Sequence, residues 1–212
     1  MAKIKLTKNE QKKQKDALKR FQRYLPTLIL KKQQLQMVIR QVEMKVEKKE
    51  VEIRQIEDSL KSWVAVFGEN EVFPQDSFLA GGRGLESLIR IRTIRKGSGN
   101  IAGVEIPVFD GLEYEPLEYD IFRAPLWIDR GLAVLKEVAL LHAEIEVLQE
   151  QKELLGRELR VTTQRVNLFE KVKIPETREH IRKIGIYMGD QQTAAVVRGK
   201  MAKNKVVKVS QP

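Results

Sequence analysis

The densest cluster of reactive side chains in this sequence is Glu113, Glu115, Glu118 and Asp120, four carboxylates within one short stretch that also carries Tyr114, Tyr119 and Phe122. Carboxylates this close can hold a hard cation, but a calcium loop places its oxygens at alternate positions around a central glycine, and that spacing is missing here. The stretch reads instead as an acidic loop that stays solvated or docks on a basic partner. A phosphate cradle is also absent: Gly199-Lys200 is followed by Met201 in place of Ser or Thr, with no glycine five residues earlier. Gly81-Gly82-Arg83-Gly84 lacks the six-residue dinucleotide spacing and precedes a strand pattern, so it reads as a linker. His142 and His180 have no paired acids at metal-ligand spacing, and there is no cysteine. The chain is expected to be non-enzymatic, with no cofactor, no metal and no catalytic residues.

Charge is the next signal. The net charge is +10. Residues 1–20 carry Lys3, Lys5, Lys8, Lys12, Lys13, Lys15, Lys19 and Arg20 against Glu10 and Asp16. Residues 191–212 carry Arg198, Lys200, Lys203, Lys205 and Lys208 with no acid, so the whole positive excess lies at the two ends. Clustered lysines neutralise phosphates without reading sequence, but these ends hold few arginines and almost no aromatic rings to stack on bases. A cationic surface facing acidic protein is favoured, and no nucleic acid is expected. The first twenty residues lack an apolar h-region, and no stretch reaches the roughly 20 apolar residues of a membrane span. A cytoplasmic chain without direct membrane insertion is the expectation.

Such ends need a scaffold, and the sequence supplies two heptad seams. The first runs Leu18, Phe21, Leu25, Leu28, Lys32, Leu35, Ile39, Val42, Val46, Lys49, Ile53, Ile56, Leu60, Trp63 and Phe67. A repeat of 3.5 residues sustained this long keeps one stripe facing one partner helix, over on the order of 75 Å. The second runs Val134, Val138, Leu141, Ile145, Leu148, Lys152, Leu155, Leu159, Thr162, Val166 and Phe169. Beyond Phe169 the phase slips by one residue, with Pro175 at the slip, and Ile174, Ile181, Ile184 and Met188 continue the stripe. Pro26 and Pro175 are both expected to bend their helices. The seam lysines Lys32, Lys49 and Lys152 read as local register devices or snorkelling positions.

Between the seams, residues 87–109 alternate as strands do around Gly97-Ser98-Gly99-Asn100, which predicts a β-hairpin turning there. Val104, Ile106 and Val108 share one face, Arg90, Arg92 or Arg95 are placed to meet Glu105 across the strands, and Pro107 marks an edge. Residues 110–125 read as an irregular return. The predicted fold is mainly α: a long antiparallel two-helix coiled coil with a small central β-hairpin/loop head. Its segments are 1–67 for the first helix, 68–125 for the head, 126–200 for the second helix and 201–212 for a basic tail. The connection is too short to return the chain for parallel pairing, so the termini should meet opposite the head.

Arg165-Val166-Asn167, Glu170, Ile174-Pro175, Ile181 and Ile184 resemble the C-terminal signature of the D subunits of V-type (vacuolar and archaeal-type) ATPases and ATP synthases. The lysine-rich start running into Leu28, Lys31, Lys32 and Leu35 is similar to that family's first helix, and Gly103-Val104-Glu105-Ile106-Pro107 looks like its central hairpin. The resemblance covers about Leu6 to Lys203, and it implies a non-catalytic central rotor stalk. Its paired termini enter the hexamer of A and B catalytic subunits, the small F subunit clasps the coiled coil, and the hairpin end points toward a socket subunit of C/d type above the membrane ring. The residues this assigns to the hexamer-facing tip are Lys12, Lys13, Lys15, Arg165, Asn167, Pro175, Lys200 and Lys203. Those of the seam are Leu28, Leu35, Val42, Ile53, Ile56, Leu60, Val138, Leu141, Ile145, Leu148, Leu155 and Leu159, and those of the hairpin are Arg90, Arg92, Glu105 and Pro107. The complex would be peripheral to the membrane, carrying torque between ATP chemistry and ion transport. The rival readings are a prefoldin-like chaperone, which would need apolar tips where this chain has lysines, and a nucleic-acid-binding coiled coil.

Overall fold

The computed structural model describes residues 4–67, 89–116 and 128–209, and of these the side chains of 62–67 and 207–209 are left aside. The Gly81 to Gly84 linker, residues 87 and 88 of the expected hairpin, Glu118 and Asp120, and the seam side chains of Trp63 and Phe67 lie outside the described residues. The elements are α1 (Lys8–Phe67), β1 (Ile91–Ile101), β2 (Val104–Tyr114), α2 (Ile128–Asn167), a π-helical turn (Leu168–Lys173) and α3 (Ile174–Val209). The mainly α fold with a small two-stranded sheet agrees with the fold class read from the sequence. The chain divides into two compact units, one made of residues 34–159 and the other of 1–33 with 160–212.

In the unit 34–159 the seam residues of both helices turn inward. Leu35, Val42, Leu148 and Leu155 share one buried cluster, extended by Val38, Ile39, Val46 and Leu159. Ile53, Leu141 and Ile145 form a second cluster with Val46 and Ile56. Leu35 and Leu155 are fully buried, and removing a leucine side chain from water stabilises by about 1.5–3 kcal/mol. Two ion pairs cross the seam, Lys49 to Glu144 at 3.2 Å and Lys152 to Glu43 at 2.9 Å. Higher numbers on one helix meet lower numbers on the other, so the pairing here is antiparallel.

The hairpin turn lies further along than the glycine-rich stretch predicts. Ile101 pairs with Val104, leaving the two-residue turn Ala102-Gly103, whose φ angles of 53° and 78° are both positive. That is the geometry whose twist matches a right-handed strand pair. Asn100 Oδ1 accepts a 3.1 Å hydrogen bond from the Gly103 amide, which closes the turn. Gly97 and Gly99 are therefore strand residues, opposite Val108 and Ile106. Two irregularities bend the ribbon: Arg92 is the extra residue between Ile91 and Thr93, and Asp110 is the extra residue between Phe109 and Gly111. β2 continues to Tyr114, so 110–114 belong to the sheet and not to an irregular return.

The hairpin packs directly on the paired helices. Ile106 is buried in the cluster of Leu35, Val42, Leu148 and Leu155, with Ile101, Ala102 and Val104 against it. This explains why α2 is buried on two faces. Leu141, Ile145, Leu148 and Leu155 make the seam, while Ala143, Val147 and Gln151 are buried beside it, a second stripe at four-residue spacing. A helix with so wide an apolar arc needs more than one partner.

In the other unit, α1 begins at a capping motif in which the Glu10 amide donates to Thr7 Oγ1 at 3.3 Å. The helix continues through Pro26 without a break. Phe21 stacks on Phe169 with ring centroids 5.3 Å apart, and Val166, Ile174 and Ile184 are buried with Thr162 and Thr177. The one-residue slip in the seam takes the form of the π-helical turn, in which the Ile174 amide donates to the Phe169 carbonyl five residues back. The wide turn absorbs the extra residue, so the buried stripe continues into α3.

Candidate functional site

Three surfaces carry the residues singled out by sequence: the seam, the hairpin with its fastening to α2, and the basic ends. The seam residues Leu28, Leu35, Val42, Ile53, Ile56, Leu60, Val138, Leu141, Ile145, Leu148, Leu155 and Leu159 are all buried or half-buried. Lys49, at a seam position, is pulled toward neutrality by burial, yet its hydrogen bonds to Glu144 and Glu52 outweigh this and hold its pKa above the usual lysine value. Lys152 is exposed and reaches Glu43 from the rim.

The cross-strand pairs differ from the expectation. Glu105 stands opposite Asn100, and no arginine faces it. Arg95 lies 3.9 Å from Glu113, and Arg90 lies 3.7 Å from Glu115. The displaced turn is the reason, because moving it from 97–100 to 102–103 shifts every pairing. Arg92 is the unpaired residue of the bulge. Pro107 does sit at an edge: its carbonyl accepts a hydrogen bond from Gln151 Nε2 of α2. Within a strand a residue's N–H and C=O point to the same side, so the donor that Pro107 lacks would face away from β1 and costs the ladder nothing.

Sequence reasoning missed the groups that fasten the hairpin to α2. Lys96 Nζ lies 2.6 Å from Glu150 Oε2, and that hydrogen bond raises the Lys96 pKa above its ordinary value. Tyr114 donates its hydroxyl to the Lys136 carbonyl at 3.0 Å, burial raises the phenol's pKa, and Lys136 Nζ stands 5.6 Å from the ring centroid. With Ile106 they hold both ends of the ribbon. The stripe Ala143, Val147 and Gln151 was the signal available for this fastening.

The basic residues share one unit but not one level. Lys12, Lys13 and Lys15 are exposed on α1, and Lys200 and Lys203 are exposed on α3. A Cβ at Gly185 would lie 3.5 Å from Gln11 Nε2, which sets the level of the first turns of α1. Lys200 lies fifteen residues further along α3, about 22 Å at the rise of a helix. Arg165, Asn167 and Pro175 are exposed on either side of the π-helical turn, near the stacked Phe21 and Phe169, and are separate from both lysine groups.

The sequence profile of the family described as the ATP synthase D subunit matches residues 10–204. The chain belongs to the ATP synthase D-subunit family. It is 50% identical over 208 residues to the V-type ATP synthase D subunit of Borreliella burgdorferi, covering 98% of this chain and 97% of that one. It is 35% identical over 203 residues to the protein of the same name from Chlamydia felis, with 96% and 93% covered, and 36% identical over 203 residues to that of Chlamydia muridarum, with 96% of each covered. No described helix is long and apolar enough to cross a membrane.

Proposed function

We propose that this chain is a central-stalk component of a V-type ATPase or ATP synthase, working as a non-catalytic axle that transmits torque between a hexamer of A and B catalytic subunits and a membrane ion-translocating ring. The observation that carries this reading is the match over nearly full length to relatives named as the D subunit of V-type ATP synthase. The physical features agree with mechanical work. Torque needs a stiff element, and the paired helices of the unit 34–159 have a continuous apolar seam cross-linked by Lys49–Glu144 and Lys152–Glu43. An axle turning in a bearing needs attraction that is long-range and undirected, and α3 carries Arg198, Lys200, Lys203 and Lys205 without an acid after Asp190. The unit of 1–33 and 160–212 enters the hexamer, the small F subunit of the stalk sits on the side of the coiled coil, and a C/d-type socket subunit receives the other end. The chain works in the cytoplasm, peripheral to the membrane. The test is reconstitution: purified chain is mixed with the A/B hexamer, and co-elution and ATPase rate are measured. Co-elution with a changed rate supports the axle, and a hexamer that neither binds the chain nor changes its rate overturns it.

A further inference from the structure

Asp110-Gly111 is the only Asp-Gly pair in the sequence, and no Asn-Gly pair occurs. The ladder passes from Phe109 opposite Lys96 directly to Gly111 opposite Arg95, so Asp110 has no partner on β1, and it is exposed. Such a bulge disrupts the pairing that would otherwise hold its backbone. Gly111 has a φ of 142°, a conformation that side chains disfavour, and it carries no β-carbon to crowd its own amide nitrogen. A β-carbon built there would stand 3.0 Å from Arg95 Nη2 and 3.8 Å from Arg95 Cζ, so the guanidinium lies against the Gly111 backbone. No other described aspartate combines these features. Asp16, Asp58 and Asp190 lie within helices, where the following amide is bonded four residues back, and Asp129 is followed by Arg130. Asn100, in the same hairpin, has its Oδ1 engaged by the Gly103 amide and is followed by the β-branched Ile101.

We infer that Asp110-Gly111 is a site of covalent self-modification, assisted by Arg95, at which Asp110 isomerises through a succinimide to a β-linked isoaspartate that a carboxyl methyltransferase can recognise. The Asp110 carboxylate takes up a proton, the Gly111 nitrogen bonds to Asp110 Cγ, and the amide proton leaves with the carboxyl hydroxyl as water. Water then adds to the succinimide. Opening between the nitrogen and Cγ restores Asp110, whereas opening between the nitrogen and the α-carbonyl carbon leaves the chain running through Cβ and Cγ, with a free α-carboxylate that gives up the proton. Water and proton are both returned, so the net change is an isomerisation that needs no oxidant, reductant or cofactor. Negative charge develops on the Cγ oxygen as the nitrogen attacks, and the Arg95 guanidinium is a cation already held beside the reacting backbone. Glu113, 3.9 Å from Arg95 Nε, helps to keep it there. The product carries one extra backbone carbon between the two fastenings of β2, Ile106 in the helix cluster and Tyr114 on the Lys136 carbonyl. Isomerisation therefore displaces 111–114 against β1 and leaves Ile106 in place.

The test ages the purified, folded full chain near neutral pH for days and then offers it to a protein-isoaspartate methyltransferase with labelled S-adenosylmethionine. Electron-transfer fragmentation of its peptides, which separates the two isomers although their masses are equal, assigns the residue. Methyl acceptance should grow with time, residue 110 should convert before any other described position, and amide exchange at 112–114 should accelerate in the aged chain while exchange at 104–106 is kept. Asp110→Glu, which would have to close a larger ring, should abolish the signal at this position, and circular dichroism checks that this variant keeps its fold. Arg95→Gln should slow the conversion several-fold. Aged wild type with no isoaspartate at 110, or with isoaspartate there only after unfolding in urea, overturns the site. Conversion in Arg95→Gln as fast as in wild type, or faster, overturns the assistance by Arg95.

Discussion

The Ile174 amide reaches back five residues to the Phe169 carbonyl, one residue further than in an α-helix, and this single wide turn keeps Val166 on one side and Ile184 on the other in one buried stripe. A π-helical turn of this kind is one residue inserted into an α-helix. Deleting exposed Lys171 should therefore restore a regular turn with the α3 stripe still in phase, at a cost of about 1 kcal/mol or less. Deleting exposed Glu153 from the regular part of α2 should rotate the following seam residues by about 100° and cost several kcal/mol. Chemical denaturation of the two deletions compares them, and equal losses would refute the inserted-residue account.

The seam was the most legible part of the sequence, because each seam position from Leu18 to Leu60 needs only the heptad rule, and the structure makes all of them buried or half-buried. The slip after Phe169 was legible for the same reason. The hairpin was half legible. Alternation places the hairpin at 87–109 and assigns its turn to the glycines at 97–100, whereas the positive φ angles fall at Ala102-Gly103. Alanine is not a usual residue for that conformation, and a turn held by tertiary packing of Ile101, Ala102 and Val104 gives no local signal. The attachment to α2 depends on pairs far apart in sequence, such as Lys96 with Glu150, and heptad counting cannot reach them.

Core substitutions should separate sharply from surface ones. Leu155→Ala removes a fully buried side chain and should cost about 2–5 kcal/mol. Exposed Glu153→Gln should change stability by about 0.5 kcal/mol or less. Thermal denaturation monitored by circular dichroism measures both, and similar melting shifts would mean that the seam is misassigned.

The hairpin should depend on one side chain and one turn. Ile106→Ala withdraws the β2 residue buried among Leu35, Val42, Leu148 and Leu155 and should cost about 2–4 kcal/mol. Gly103→Val forces a β-branched residue to a φ of 78°, a penalty of about 1–2 kcal/mol. Amide exchange in 91–114 should accelerate in both variants before exchange in α2 does. Simultaneous acceleration in both regions would show that hairpin and helices open as one unit.

Alkali should loosen the hairpin first. Lys96 has its pKa raised by the hydrogen bond to Glu150, and Tyr114 has its pKa raised by burial. A group with a raised folded pKa contributes stability that is present below its unfolded value and is lost as pH rises through the folded one. The window therefore opens above the ordinary values of about 10.4 for lysine and 10 for tyrosine, and nothing changes near neutrality. A tyrosinate absorbance titration of wild type minus Tyr114→Phe should show a late-titrating phenol. A difference curve centred below pH 10 would contradict the buried, donating hydroxyl.

Charge at the ends should govern association with the hexamer more than folding. Lys12, Lys13, Lys200 and Lys203 are exposed, and none occupies a seam position. Replacing all four by Gln should leave the melting temperature within a few degrees of wild type, because exposed substitutions away from caps and cores stay within about 0.5 kcal/mol each. Long-range attraction acts on encounter, so the variant should bind the A/B hexamer with a slower association rate and a nearly unchanged dissociation rate. Raising salt from about 0.05 to about 0.5 M should slow the wild type toward the variant, because the screening length shortens as ionic strength rises and long-range attraction between exposed charges fades with it. The two lysine groups lie at different levels of the unit, so the pairs Lys12/Lys13 and Lys200/Lys203 are also replaced separately. The pair seated deeper in the bearing should show the larger loss. Surface plasmon resonance on immobilised hexamer reads all of these rates. An association rate indifferent to both the quadruple substitution and salt, with DNA binding abolished by the same substitution, would reassign the basic ends to nucleic acid.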